Sequence, residues 1–368
     1  MSRRNPPDDQ PTLDSPQTYH ILINGVRHCV VRFRQLHALH EQLRRELPFP
    51  AASLSLSPAA SGSRPAALPP FPPKKLLPLT VPQLEERRAT LEKYLQRLSQ
   101  DARVSNGVTF NGFLLAAQME TRAAMDKSGG SAAESVVGVD VFLMNDQKVT
   151  VRGKSVLQTD EVLERACRQL GVPDEHVYHF GLFLIQRRKK DDFGGGGGGS
   201  GCSESSATEH FSVVRRLQDF ESPYISQKVV GGNLKLVMRK ASWDPQIDAE
   251  LMSNPATLNL LYVQTVAEVE RGWARADAET KRQLARMQAR GAKKEYMETA
   301  AALPMFGYVH FQPCVCDYPN SNTPAQIAVG RRELVMKVRA GPAGELKEGS
   351  FKVRGLPSMT SALEGGRG

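Results

Sequence analysis

The chain has 368 residues, 40% hydrophobic and 24% charged, enough for two or three soluble domains with packed cores. A formal net charge of +9 suits anionic partners, and five cysteines set mostly in apolar segments point away from a disulfide framework and toward a reducing cytoplasm. No apolar run reaches the roughly 18 residues of a bilayer span, and the opening MSRRNPPDDQ lacks a signal-peptide core, so any membrane contact is expected to be peripheral.

Residues Met1–Pro16 are polar and proline-rich and are expected to be disordered. Two alternating, β-rich runs then flank Asn24-Gly25 within Thr18–Val31, a hairpin signal because both turn residues tolerate positive φ. Leucines 36, 39, 43 and 47 mark one face of a helix over Gln35–Leu47. Pro48–Pro70 reads as a long loop ending in a proline cluster. Leu84, Leu91, Leu95 and Leu98 predict a second helix, Phe110–Leu115 lies in a third, and Asp126–Glu134 has linker composition.

A second unit starts with Val137, Val139, Val141 and Leu143 in strict alternation, a turn at Asn145-Asp146 and a strand to Val151. Thr159-Asp160 is expected to cap a helix carrying Val162, Leu163, Ala166 and Leu170, stopped by Gly171. Phe180–Ile185 and Phe211–Val214 are strands on either side of an insert, Arg187–His210, that holds Gly194–Gly199. Hairpin, helix, strand is the order of a ubiquitin-like roll. From Ser242 to Leu303 the pattern is helical, with Leu258, Leu261, Thr265, Val266, Val269 and Trp273 on one predicted helix and one or two more over Lys281–Ala302. Strand patterns return at Tyr308–Cys316, Ala325–Val329, Glu333–Val338 and Phe351–Val353, and the closing GLPSMTSALEGGRG has no periodicity.

Few residues in this order could carry chemistry. Arg32 ends the strand before the first helix and is followed by the aromatic Phe33. Arg87 falls on the apolar stripe of the second helix, where an unpaired guanidinium is costly, while Arg88 can face water. Lys74 and Lys75 follow a proline run that fixes the local backbone. Two arginines and a lysine converging on one cleft would suit a multiply phosphorylated ring, because arginine grips phosphate oxygens through two parallel hydrogen bonds. The plainer reading leaves Arg32 solvated at a strand end. Cys314-x-Cys316 has no second ligand pair and reads as alternating strand cysteines rather than a metal site. The glycine run lacks the strand-to-helix setting and Lys-Ser/Thr of a phosphate loop, and no Ser-His-Asp or Cys-His signature is seen.

The stretches NGV-HC-VR, QLHALHEQLR, LPPFPPKKL, RRATLEKYLQ, GLFLI, DFESPYIS, NLLYVQTV, ERGW, FGYVHF, CDYP and KEGSFKV resemble, at corresponding spacing, the PX-FERM sorting nexins. That resemblance implies an α+β multidomain chain. After a disordered 1–16, a PX domain would occupy 17–122, with a three-stranded antiparallel sheet, helices and a loop insert at 48–68; 123–135 would be a linker. A ubiquitin-like first FERM lobe would follow at 136–225 (Gly-rich insert 187–210), then an all-helical second lobe at 226–299 and a partial PTB/PH-like third lobe at 300–368.

The resemblance also implies roles. Arg32 would hold the 3-phosphate of phosphatidylinositol 3-phosphate, Phe33 would stack on the inositol, Lys74 would meet the 1-phosphate and Arg87 the ring hydroxyls opposite. Leu76, Leu77 and Leu79 would form a loop tip that dips into the bilayer. The expected function is that of a non-enzymatic, monomeric adaptor, cytoplasmic and peripheral on early endosomes, that recycles NPxY- or NPxF-bearing receptors away from lysosomes. A third lobe with about 60 residues from Tyr308, against roughly 100 for a typical domain, is expected to leave the cargo groove incomplete. The alternative is an endosomal signalling scaffold that binds a Ras-type GTPase through the first FERM lobe. No cofactor, metal, catalytic residue or nucleic-acid partner is expected.

Overall fold

The computed structural model describes residues 17–47, 68–75, 78–125, 135–188, 210–242, 245–311, 313–318, 320–340 and 345–352. The chain is a mixed α+β multidomain protein whose contacts divide it into two compact units, with cuts after Ser135, Asp219 and Val230. The expected disorder of 1–16, the loop at 48–67 and the glycine insert lie outside the described residues.

The first unit begins with the hairpin β1 (Thr18–Ile23) and β2 (Val26–Arg32), whose turn places Asn24 at φ 50 and Gly25 at φ 76. This is the positive-φ pair that Asn-Gly supplies without strain. β2 runs straight into α1 (Phe33–Glu46), so the described residues build a sheet of two strands here, not the three the resemblance implies. Then follow α2 (Val81–Gln100), the short α3 (Ala102–Ser105) and α4 (Val108–Met125). Leu39, Leu43, Tyr94, Leu98, Val104, Phe110 and Leu114 form one core cluster; Cys29, Val31, Leu36, Leu91 and Ala117 form another. Cys29 is fully buried, and burial pushes its thiol up to about 12, which makes it a packing residue rather than a nucleophile.

The second unit opens with the hairpin β3 (Val136–Phe142) and β4 (Lys148–Lys154), whose turn holds Asp146 at φ 65. α5 (Thr159–Gln169) ends near Gly171, at φ 73. Its start differs by one residue from the expected Thr159-Asp160 cap: Gln158 is the cap, because the Glu161 carboxylate accepts the Gln158 amide proton at 3.0 Å. A 3-10 turn leads to β5 (Phe180–Arg188) and β6 (His210–Arg216). The chain next forms α6 (Pro223–Val230), which belongs to the first unit, and returns as β7 (Leu234–Lys240). The sheet order is β4-β3-β7-β5-β6, with β3 and β7 parallel and the other pairs antiparallel, as a ubiquitin-like roll requires.

Four helices follow: α7 (Pro245–Leu251), α8 (Pro255–Glu270), α9 (Ala278–Ala289) and α10 (Lys293–Ala301). Asn254 caps α8 by accepting from the Ala256 amide at 2.9 Å, and Asp277 caps α9 by accepting from Thr280 at 2.7 Å. Gly291, at φ 69, separates α9 from α10. Trp273, expected on the helical stripe, lies beyond α8 past Gly272 at φ 72, where its ring stacks on His310 at 5.1 Å.

The last sheet contains β8 (Val309–His310), β9 (Cys314–Cys316), β10 (Thr323–Val329), β11 (Glu333–Ala340) and β12 (Glu345–Lys352) in the order β12-β11-β10-β8, with β9 also on β10. The expected single strand over Tyr308–Cys316 is broken at Pro313, which has no amide proton to give a ladder. Cys314 and Cys316 both carry free thiols on β9.

Burial, and then the positive charge of Arg239, pushes His310 down to about 4. The fold therefore favours the neutral ring, while the unfolded chain takes up a proton near pH 6.5. The expected outcome is full stability from this group above about pH 6.5 and a steady loss toward about 4. A thermal-unfolding series across that window should show a shallower slope for His310→Gln than for the native chain.

Candidate functional site

The end of β2 is held from two sides. Gln35, in the first turn of α1, accepts the Arg32 amide proton at 2.7 Å and donates through its Nε2 to Glu120 of α4, also at 2.7 Å. Two residues back, the Val30 amide donates to Thr121 Oγ1 of α4 at 2.8 Å. The backbone of Arg32 is thus fixed while its side chain stays exposed, and no ion pair engages that guanidinium among the described residues.

Phe33 is half-buried, and the Arg87 guanidinium lies over its ring at 4.3 Å from the centroid. Arg87 comes from α2, whose Thr80 amide is taken by Gln83 at 3.2 Å and whose second residue is proline, both ordinary helix-start devices. Its neighbour Arg88 turns outward and bonds Glu85 at 2.6 Å and Glu92 at 2.9 Å. The hydrogen bond from Arg88 holds the Glu85 carboxyl below its usual range. Among the described residues Arg87 has no such partner: its Nη2 is buried without a hydrogen bond. An unmet buried donor costs about 1–3 kcal/mol, of which a cation–π contact returns roughly 0.5–2. The cation–π contact thus offsets the burial of this guanidinium only in part.

Phe71 anchors the proline segment. Its ring stacks on His40 at 4.7 Å, meets Tyr94 edge-on at 5.0 Å and lies 5.6 Å from Phe33. His40 Nδ1 is 3.0 Å from the Tyr94 hydroxyl, and burial lowers the His40 pKa, so the ring is neutral in this stack near pH 7. Lys74, three residues after Phe71, is exposed.

Of the residues named from sequence, Phe33 and Arg87 are in contact, Arg32 is next to Phe33 in the chain, and Lys74 sits on the segment anchored by Phe71. Leu76 and Leu77 lie outside the described residues; Leu79 is half-buried. Sequence reasoning missed Phe71, His40, Gln35 and Glu120. The one signal for Phe71 was an aromatic flanked by prolines on both sides.

The second unit holds a cavity of about 210 Å³ lined by residues that include Trp273, Arg275, His310, Ile327 and Lys337. Its two cations already share Glu348, at 2.7 Å from Arg275 and 3.7 Å from Lys337, so it offers an anion less than Arg32 and Arg87 do. Among the described residues, no cluster of His, Cys, Asp and Glu could hold a metal ion, and no helix is long and apolar enough to cross a membrane.

Comparison with known proteins assigns a family to each part. Residues 21–117 match the PX domain; 137–198 and 199–243 match the sorting nexin 17/27/31 FERM F1 lobe; 244–304 match the sorting nexin 17/31 FERM F2 lobe; 307–360 match the sorting nexin 17 FERM C-terminal domain. Sorting nexin-17 of Bos taurus is 40% identical over 336 residues, which are 91% of this chain and 62% of that protein. Sorting nexin-31 of Mus musculus is 31% identical over 91% of this chain and 66% of its own length. The chain thus spans about 62% of the sorting nexin-17 length it matches. The solved myosin VII MyTH4-FERM MF2 domain (mutant 1) of Dictyostelium discoideum aligns with a TM-score of 0.34 and 9% identity, over 72% of this chain and 71% of its own.

Two substitutions test the stacking. Phe71→Ala is expected to destabilise the first unit by about 2–4 kcal/mol, since it removes an aromatic that joins three others. Arg87→Met is expected to leave stability unchanged or raise it by up to about 1 kcal/mol, because the buried unmet donor disappears with the cation–π contact. Chemical denaturation of the full chain checks both; a large loss for Arg87→Met would make Arg87 a structural residue.

Proposed function

Because the chain belongs to the PX-FERM sorting nexins, we propose that it is a peripheral adaptor that binds phosphatidylinositol 3-phosphate on the cytosolic face of early endosomes. The observation that carries this reading is the buried, unpartnered Nη2 of Arg87 beside Phe33, in a domain matched to the PX family. A multiply phosphorylated inositol supplies what that corner lacks. Its 3-phosphate takes the exposed fork of Arg32, its hydroxyls take Arg87, its 1-phosphate takes Lys74, and Phe33 offers the ring an apolar wall. The proposed insertion tip, Leu76, Leu77 and Leu79, adds shallow burial in the bilayer to attraction between the basic chain and anionic lipid.

The FERM-like half extends the reading to cargo. NPxY or NPxF tails of transmembrane receptors would add as a strand to the last sheet, and the adaptor would return those receptors from early endosomes before lysosomal degradation. This role rests on the family and on a sheet of the right kind.

Sedimentation with liposomes that contain phosphatidylinositol 3-phosphate tests the lipid reading. A charge-assisted bond is worth about 1.5–3 kcal/mol, so Arg32→Gln is expected to weaken binding by about 10- to 100-fold. Arg32→Gln binding as well as the native chain would dismiss this pocket.

A further inference from the structure

The helix α6 lies in sequence between two strands of the second unit, yet it belongs to the first, with Pro223, Ile225, Ser226 and Val229 buried. We propose that the Phe220–Val230 segment is a positioning element of the lipid pocket, holding α4 and β2 so that Arg32 is set in place. The part concerning lipid rests on the proposed phosphoinositide site; the part concerning the Arg32 backbone does not.

The contacts form a continuous path. Gln118 of α4 is fully buried and uses both ends of its amide: Nε2 donates to Ser226 Oγ at 2.7 Å, and Oε1 accepts from the Ser222 amide at 3.0 Å. The Ser226 hydroxyl donates onward to Glu221 Oε2 at 2.9 Å. That carboxylate lies 3.4 Å from His28 Nδ1 of β2, with both side chains wholly buried, while His28 Nε2 is 3.1 Å from the Leu114 carbonyl of α4. Arg27 of β2 donates to the Val229 carbonyl at 3.0 Å, and Phe220 meets the His28 ring edge-on at 6.0 Å. The segment therefore grips both β2 and α4.

From that grip α4 reaches the pocket. Gln118 and Thr121 are three residues apart and share a helix face. Thr121 takes the Val30 amide, and Glu120 takes Gln35, which holds the Arg32 amide. Polar bonds of this kind fix a register, because each donor and acceptor fits in one arrangement and is costly to leave unmet when buried. An apolar interface would pack as well but could slide. A phosphate-gripping arginine needs its backbone placed to a fraction of an ångström, and this path supplies it.

The test uses the full chain with Ser226→Ala and Gln118→Ala, and Phe220→Leu as a packing control. Hydrogen exchange should accelerate at least tenfold across Val30–Gln35 in the two polar variants. The β3–β7 sheet should keep its native protection in both. Phe220→Leu should lower the unfolding midpoint without that local signature. Affinity for a soluble short-chain phosphatidylinositol 3-phosphate should fall by about 3- to 10-fold in the polar variants, at unchanged stoichiometry. Native exchange at Val30–Gln35 in both polar variants overturns the proposal, as does a rise spread evenly over the first unit. Faster local exchange with native affinity overturns the link to the ligand. A native chain that binds no lipid refutes the phosphoinositide reading, and the exchange result alone then decides whether the segment positions Arg32.

Discussion

The contact between Arg87 and Phe33 is the interaction on which the first unit's site depends. It joins the long helix α2 to the first residue of α1, and through Phe71 it sets the proline segment against both. A guanidinium can sit there half-buried because an aromatic face offsets part of its desolvation, and because Arg88 takes the available carboxylates on the outer side. The result is a cation held in place but short of a hydrogen-bond partner. A rigid donor of that kind is favoured where a ligand must bring oxygen atoms at fixed positions.

Much of this was legible in the sequence where the rule is local. Asn24-Gly25 needed positive φ and formed the hairpin; Gly171 ended a helix in the same way. The alternation at Val139 and Val141 placed both in the buried face of a sheet, and the period of α2 placed Arg87 inward and Arg88 outward. Other features depended on distant partners. Trp273 fits the period of α8 but lies past its end, because Gly272 turns the chain and His310 supplies a flat partner from 37 positions further on. Phe71 could be seen as unusual among prolines, yet nothing local said that His40 and Tyr94 would enclose it. The segment after Asp219 was least legible. Its pattern of apolar and small polar residues fits many cores, and only Gln118, about 100 residues earlier, makes Ser222 and Ser226 meaningful.

The second unit solves its polar burial differently. Arg239 of β7 pairs with Glu268 of α8 at 2.8 Å, with both side chains almost entirely enclosed. The same guanidinium lies within 5.3 Å of the Trp273 ring and 5.7 Å of Phe183. This ties the central strand of the ubiquitin-like sheet to the longest helix after it. Arg239 and Arg87 are both cushioned by aromatics, but one is matched by a carboxylate and the other is not. Arg239 still leaves its Nε and Nη1 without hydrogen-bond partners among the described residues, so the carboxylate offsets its burial only in part.

The route of the chain through α6 has a consequence for synthesis. The first unit cannot close when its fourth helix leaves the ribosome, because the groups that satisfy Gln118 and His28 have not yet been made. At about 5–20 residues per second, the roughly 100 residues to Ser226 take on the order of 5–20 s. During that interval the nascent chain carries the faces of β2 and α4 uncovered. β7, the central strand of the second unit's first sheet, emerges directly after α6. One short stretch of translation therefore supplies both the segment that closes the first unit and the central strand of the β4-β3-β7-β5-β6 sheet, while the later helices and the last sheet of the second unit are still to be made.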